Sequence, residues 1–288
     1  MKTIFIYHFW NDGHFLNAID CQHSPIIYSI ASLRACGCNE IVKVIDNTPK
    51  ATNWGSYPKD LDFEVITKIG LMQNKKNCFS TYNHFLSQKI GDVLDLSKNY
   101  DEIVYCDSDI IWIKNPLPLN ISNKLHITHW CSGFYYFKTS SIQAMSFMKT
   151  WDYHLLKAAL DFNFQCEMIN EIKDISYYRV VTDESSMIYN LKLFGSYTTD
   201  QNKVFHLSGE KMQLGYSYSG IHIMSGFTDK KKEFCEEIFE INEVLRKVLK
   251  IGDPNCCLND FKNWSKKKSK HSQNFLELKQ YIPKFNWL

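Results

Sequence analysis

Ile103-Val104-Tyr105-Cys106-Asp107-Ser108-Asp109-Ile110-Ile111-Trp112-Ile113 is the stretch on which the reading of this chain turns. An apolar run leads into two carboxylates one residue apart, and a second apolar run follows. The first run reads as a buried strand that meets the surface at Asp107. Carboxylates set between core segments are costly unless something compensates their charge. A hard divalent cation would do so. Asp107 and Asp109 offer oxygen ligands and negative charge, and leave coordination positions open for phosphate oxygens. A solvated turn is the plain alternative for an isolated D-x-D, and the apolar flanks speak against it.

Upstream, residues 3–9 form a first strand, broken by Asn11-Asp12-Gly13. Ser24 and Pro25 open a helix through Ile26, Ile27, Ile30, Leu33 and Arg34, which Gly37 stops. Ile41-Val42-Lys43-Val44-Ile45 is a second strand ending at Asp46-Asn47. Strand, helix and strand in that order form a βαβ unit with a parallel sheet. A loop over 48–61 precedes a third strand, Phe63–Thr67. The spacing of Tyr82, Phe85, Leu86, Lys89 and Val93 predicts a helix over 80–94. Open α/β sheets bind ligands beyond the carboxyl ends of their strands. Tyr7–Asp12, Asp46-Asn47 and Asp107–Asp109 all fall at such ends. Tyr7, Phe9 and Trp10 are candidates to stack on a nucleobase there, Asp46 to accept a hydrogen bond from one, and His8 beside them to contact the same ligand. Ordinary core packing also produces aromatic strand ends.

Downstream come His126–His129, Gly133–Phe137 and a helix from Ser140 to Leu160, whereas 161–178 fits neither period. A helix over 184–194 follows, closed by Gly195. Two short strands, Val204–Leu207 and Ile221–Met224, precede an amphipathic helix over Lys231–Lys250 and a Lys-rich tail. Asp183-Glu184 at a helix start has a local explanation, because acidic residues favour that position through capping and the dipole. That reading is favoured by the local pattern; the other is a carboxylate facing a reacting sugar carbon. A third metal ligand is needed, and His222 in its apolar strand is the first candidate, with His206 as a rival of the same local look. Imidazole beside two carboxylates suits Mn²⁺. Lys230–Lys232 just beyond could neutralise phosphate, and Lys89 could reach a diphosphate or a sugar.

Composition narrows the class. Of 288 residues, 44% are hydrophobic and 15% aromatic, enough for a sizeable core and unlike a disordered chain. A net charge of +2 gives no concentrated basic face for nucleic acid. No apolar run reaches the roughly 18 residues of a membrane span. The N-terminus lacks the cleavage site of a signal peptide, so a cytoplasmic location is expected, with peripheral membrane contact by Lys266–Lys270 left open. None of the ten cysteines has zinc-finger or zinc-ribbon spacing, which suits reduced thiols. P-loop, dinucleotide and hydrolase-elbow motifs are absent.

Taken in order, the segments resemble the GT-A-fold glycosyltransferases, particularly the glycogenin and lipopolysaccharide galactosyl- and glucosyltransferase group (family 8-like). Tyr100–Ile111 is similar to that family's "yd-x-ilYlDsDii" segment. Cys131–Phe137 resembles its "fNsGvmvf" strand, with Cys131 in place of Asn. Asp183–Asn190 resembles "DQ-x-x-lN", with Glu184 in place of Gln. Phe205–Ser208 resembles "iYNls", and Ile221-His222 resembles the later "vvHf-x-G" metal histidine, an order that favours His222 over His206. The family's K-P-W is missing, and Phe227–Lys232 stands in its place.

The resemblance implies an α/β chain with the GT-A fold, a single domain over 1–250 with a mostly parallel central sheet flanked by helices. Residues 251–288 would be a Lys-rich extension, helical or partly ordered. It implies a hexosyltransferase using a nucleotide-sugar donor, expected to be a UDP-sugar, and Mn²⁺ or Mg²⁺, with retention of anomeric configuration. Asp107, Asp109 and His222 would hold the metal, and Asp183 and Glu184 would lie at the transferred sugar. Tyr7, His8, Asp46, Lys89, Asp107, Ser108 and Lys230 would contact the donor. The acceptor, a glycan, protein or lipid, is not specified. A nucleotidyltransferase on a related sheet and a non-catalytic nucleotide-sugar binding protein remain alternatives.

Overall fold

The structure is a computed structural model and describes residues 1–9, 24–47, 54, 61–68, 81–108, 110–112, 115–119, 121–128, 131–176, 181–195, 198–200, 204–206 and 219–222. Thr3–Phe9 (β1) is buried at every position. That explains its nearly unbroken apolar sequence, because a parallel strand covered on both faces has no solvent side to alternate toward. Ser24–Ala35 (α1) leads to Ile41–Asp46 (β2), parallel to β1 with Tyr7 level with Val44. Gly37 ends the turn after α1 at φ 77°, a conformation most side chains resist. Glu64–Thr67 (β3) lies parallel beyond β2. Thr81–Ser97 (α2) then returns the chain to Glu102–Cys106 (β4), parallel to β1 on its other side.

Ile110–Trp112 (β5) does not continue that sheet. Leu125–Thr128 (β6) and Cys131–Lys138 (β7) do, each antiparallel to its neighbour. Three helices follow: Ile142–Leu160 (α3), Phe162–Ile172 (α4) and Asp183–Phe194 (α5). Thr198–Asp200 (β8) closes the large sheet, parallel to β6. The order is β3-β2-β1-β4-β7-β6-β8, and only β7 runs against the rest. Val204–His206 (β9) and Gly220–His222 (β10) join β5 in a second sheet of order β5-β10-β9. The two apolar runs flanking Asp107–Asp109 therefore belong to different sheets. Asp107 and Ser108 follow the end of β4, and His222 pairs with Ile110, the first residue of β5.

Period two divides the large sheet into two faces. Ile4, Ile6, Ile103, Tyr105, Tyr135 and Phe137 pack against Ile90 and Val93 of α2 and Phe147, Met148 and Trp151 of α3. The opposite face is covered by α1 and β5. Trp112 meets Phe5 and Phe134 edge-on, and its backbone N–H donates to Ser32 Oγ at 2.9 Å. The stretch that fitted neither period contains α4, whose buried residues Phe164, Met168 and Ile172 are four apart. Asp161 caps it by accepting from the N–H groups of Asn163 and Phe164. An exposed Phe162 beside so narrow a stripe had blurred the helical signal. Asp109, Lys230, the Lys231–Lys250 helix and the 251–288 extension lie outside the described residues.

Candidate active site

Asp107 lies just past the carboxyl end of β4, and its backbone N–H donates to Gly133 O of β7 at 2.7 Å. Oδ1 of its carboxylate accepts from Lys89 Nζ at 3.2 Å and from Tyr105 OH at 3.1 Å. Oδ2 faces His222 Nε2 at 3.6 Å. The Lys89 ammonium reaches across from α2 and also donates to Asp183 Oδ2 at 2.6 Å. Ser132 of β7 donates to the same oxygen at 2.8 Å. Glu184, beside Asp183, accepts from the Cys131 thiol at 3.4 Å, and Cys131 Sγ is 3.9 Å from His222 Nδ1. Lys89, Asp107, Asp183, Glu184 and His222, with Cys131 between the last two, thus form one continuous run of contacts, although the chain supplies them across nearly half its length.

The local helix chemistry explains how Asp183 comes to be there. Capping belongs to Thr182, which corrects the expectation favoured from the acidic pair alone. Thr182 Oγ1 accepts from Ser185 N at 3.1 Å, and Ser185 Oγ accepts from Thr182 N at 2.7 Å. Such a cap stabilises a helix by about 1 kcal/mol. With the cap supplied from elsewhere, the Asp183 side chain is directed across to Lys89 and Ser132.

Among the described residues, Lys89 is the one lysine in a cluster that holds three carboxylates, Asp107, Asp183 and Glu184. Burial alone would push the Lys89 pKa down, but Asp107 and Asp183 override it and hold the ammonium well above the usual lysine range. Burial works to raise the Asp107 pKa, and Lys89 and His222 reverse the effect, so the carboxyl stays below its ordinary value. The Cys131 thiol is pushed up to about 11, chiefly by burial, and is a packing and hydrogen-bonding group at neutral pH.

Gly133 sets the spacing of this cluster. A Cβ there would stand 2.5 Å from His222 Cε1 and 2.6 Å from Asp107 Oδ2. Only a residue without a side chain lets the imidazole and the carboxylate lie this close to β7. A carboxylate oxygen and an imidazole nitrogen 3.6 Å apart are donors that suit a divalent ion of the Mn²⁺ type. Among the described residues no three His, Cys, Asp or Glu side chains already converge as a complete ligand set. Asp107 and His222 are two of the three expected ligands, and Asp109 is outside the described residues. His206 is level with His222 on the neighbouring strand β9.

The candidates at the ends of β1 and β2 occupy a second cluster. Tyr7 is wholly buried, its hydroxyl accepting from Ser29 Oγ at 3.0 Å and Trp112 Nε1 at 3.2 Å, so its ring belongs to the core. His8 Nε2 lies 3.2 Å from Asp92 Oδ2 on α2. Asp46 is buried and accepts from Trp54 Nε1 at 2.8 Å. Ser108 is half-buried in the turn after Asp107. Lys230 is outside the described residues. Sequence reasoning did not single out Ser132, Gly133 or Asp92. The Ser-Gly pair inside a buried β7 was the available signal for the first two, since small residues in a core strand mark a close approach.

No family model matches the sequence, and no curated protein does. Solved structures match the fold. Mouse xyloside xylosyltransferase 1 in its apo form aligns with a TM-score of 0.51 at 10% identity, over 78% of this chain and 98% of that one. The apo WbbM bifunctional glycosyltransferase aligns with a TM-score of 0.50 at 9% identity, over 88% of this chain and 52% of that one. The chain has the GT-A fold of these glycosyltransferases.

Proposed function

We propose that this chain is a metal-dependent hexosyltransferase that takes a UDP-sugar as donor and retains the anomeric configuration. The observation that carries the reading is the convergence of Lys89, Asp107, Asp183, Glu184 and His222 on a fold that glycosyltransferases use. Asp107 and His222, with Asp109, would hold Mn²⁺ or Mg²⁺, which when bound supplies Lewis-acid neutralisation of the diphosphate. Lys89 adds a fixed positive charge between the two carboxylates. As the bond from the anomeric carbon to the diphosphate oxygen breaks, the electron pair stays with the diphosphate and positive charge develops on the sugar. Asp183, oriented by Lys89 and Ser132, and Glu184 beside it would be preorganised against that charge. An acceptor hydroxyl then bonds to the same carbon and gives its proton to the departing diphosphate oxygen. The nucleotide is expected along the carboxyl ends of β1 and β2, near His8 and Asp46 with Tyr7 behind them, and beside Ser108. Lys230 is the further diphosphate contact. The acceptor is a glycan, protein or lipid.

A panel of nucleotide-sugars, each with and without Mn²⁺, tests the proposal by thermal shift and by release of free nucleoside diphosphate. A ligand at about a hundred times its Kd stabilises by about 2.7 kcal/mol, so the preferred donor stands out. We expect a shift and slow UDP release with a UDP-sugar, both abolished by chelator and by Asp107→Ala. No response to any nucleotide-sugar, or nucleoside triphosphate turnover with release of pyrophosphate, would overturn the reading.

A further inference from the structure

The second cluster is organised around one carboxylate that the proposed chemistry does not use. Asp92 projects from α2, and the side chains it binds stand at the carboxyl ends of three different strands. Its Oδ2 lies 3.2 Å from His8 Nε2 at the end of β1 and accepts from Asn47 Nδ2, just past β2, at 3.3 Å. Its Oδ1 pairs with the ammonium of Lys68, just past β3. The backbone is laced at the same level: Asn47 N donates to Phe9 O at 2.9 Å, and Lys68 N donates to Asp46 O at 2.9 Å.

A buried ion cluster is an expensive way to hold helix against sheet, because apolar side chains of similar volume often do it as well or better. What a carboxylate supplies that packing does not is fixed direction for several donors. The side chains of Asp92 and His8 are 6% and 1% exposed, so neither is positioned by solvent. Lys89 lies three residues earlier on α2 and holds Asp107 and Asp183. At that spacing both residues share one face of the helix. The same helix surface therefore fastens the metal side of the site through Lys89 and the strand ends through Asp92.

We propose that Asp92 is the positioning residue for the nucleotide half of the donor site, fixing His8, Asn47 and Lys68 so that donor affinity depends on a carboxylate that does not touch the donor. This rests on the donor-site reading above. Asp92→Asn keeps the shape but replaces one acceptor oxygen with an N–H donor, which must then face a donor from His8 and Asn47 or from Lys68.

The test is calorimetric titration of UDP with Mn²⁺ into wild type, Asp92→Asn and Asp95→Asn, with donor KM and kcat measured on each. Asp95, 62% exposed and 3.9 Å from Lys68, is the control. We expect Asp92→Asn to weaken UDP binding and raise KM about tenfold, with kcat within about twofold of wild type, and Asp95→Asn to match wild type. A folded Asp92→Asn protein with wild-type UDP affinity overturns the proposal, as does one that loses kcat at unchanged KM. If Asp92→Asn does not fold, Lys68→Gln at a partly exposed position decides: a raised KM supports the proposal and a wild-type KM overturns it. Wild type that binds no nucleoside diphosphate overturns the donor reading along with this one, whereas binding insensitive to these variants overturns this one alone.

Discussion

Lys89 is the residue on which the cluster depends most, because one ammonium satisfies carboxylates from two elements. It is 4% exposed, and Asp183 is 9% exposed. Lys89→Met would leave both carboxylates without their cation. Removing one partner of a buried pair destabilises by about 3 kcal/mol or more, and urea denaturation should show that loss. Gly133 acts by exclusion. The Cβ of Gly133→Ala would meet the two side chains proposed to hold the metal, not backbone, so these must move apart. We expect Mn²⁺-dependent UDP affinity to fall about tenfold or more in a protein whose circular dichroism is that of wild type. Unchanged affinity would show that the spacing of Asp107 and His222 is not set there. Both residues lay in plain view in the sequence, but only Lys89 was marked, because a charge on a helix before a D-x-D strand has a chemical reason to be noticed. A glycine's role is defined by what surrounds it, and those neighbours come from residues far along the chain.

At the scale of elements, α2 and α3 pack closely enough for a charge to matter. A Cβ on Gly91 would stand 3.1 Å from Asp152 Oδ1. Burial, and then the carboxylates Asp92 and Asp95, push the Asp152 pKa up to about 6. A carboxyl whose pKa is raised on folding favours the native state while protonated, and that contribution is lost as pH rises through about 6. Asp152→Asn should therefore raise the Tm at pH 7.5 and have progressively less effect as the pH falls toward the ordinary aspartate value near 4. Thermal melts across that range check it, and a Tm gain that persists undiminished at low pH would assign the effect to something other than ionisation. Most elements could be read from the sequence because their signals are local: β1 and β4 as apolar runs, α1 from Ser24-Pro25 and Gly37, and α3 from its period. The cap of α5 was misread because acidic residues at a helix start satisfy the dipole whichever residue caps, and Thr182 with Ser185 had to be seen bonded to each other. Whether β4 and β5 shared a sheet was likewise not written in two apolar runs of similar composition.

For the whole molecule, acid is the informative stress. Burial pushes the His126 pKa down to about 4, and its Nε2 accepts from Ser122 N at 2.8 Å, a bond that a protonated ring cannot keep. His8 is also lowered, by burial that outweighs its bond to Asp92. The unfolded chain takes up these protons near pH 6.5. Stability held above that value is therefore lost as pH falls toward the folded values. We expect the Tm to fall between pH 6.5 and 4.5, and His126→Gln to show a shallower fall from a lower starting point. An equal slope in that variant would remove His126 from the account.

By itself the sequence determined most of the buried strands and helices, their order, and which chemical groups stand at strand ends, because apolar periodicity and strand-end carboxylates are recorded in neighbouring residues. Tertiary structure decided which groups meet. Lys89 and Asp183 are 94 residues apart, and Cys131 and His222 are 91 apart. No local pattern encodes such pairs. They are fixed when β4, β7 and β10 converge and α2 and α5 close over them, so that buried charges find partners within hydrogen-bond reach rather than remaining unpaired in a core.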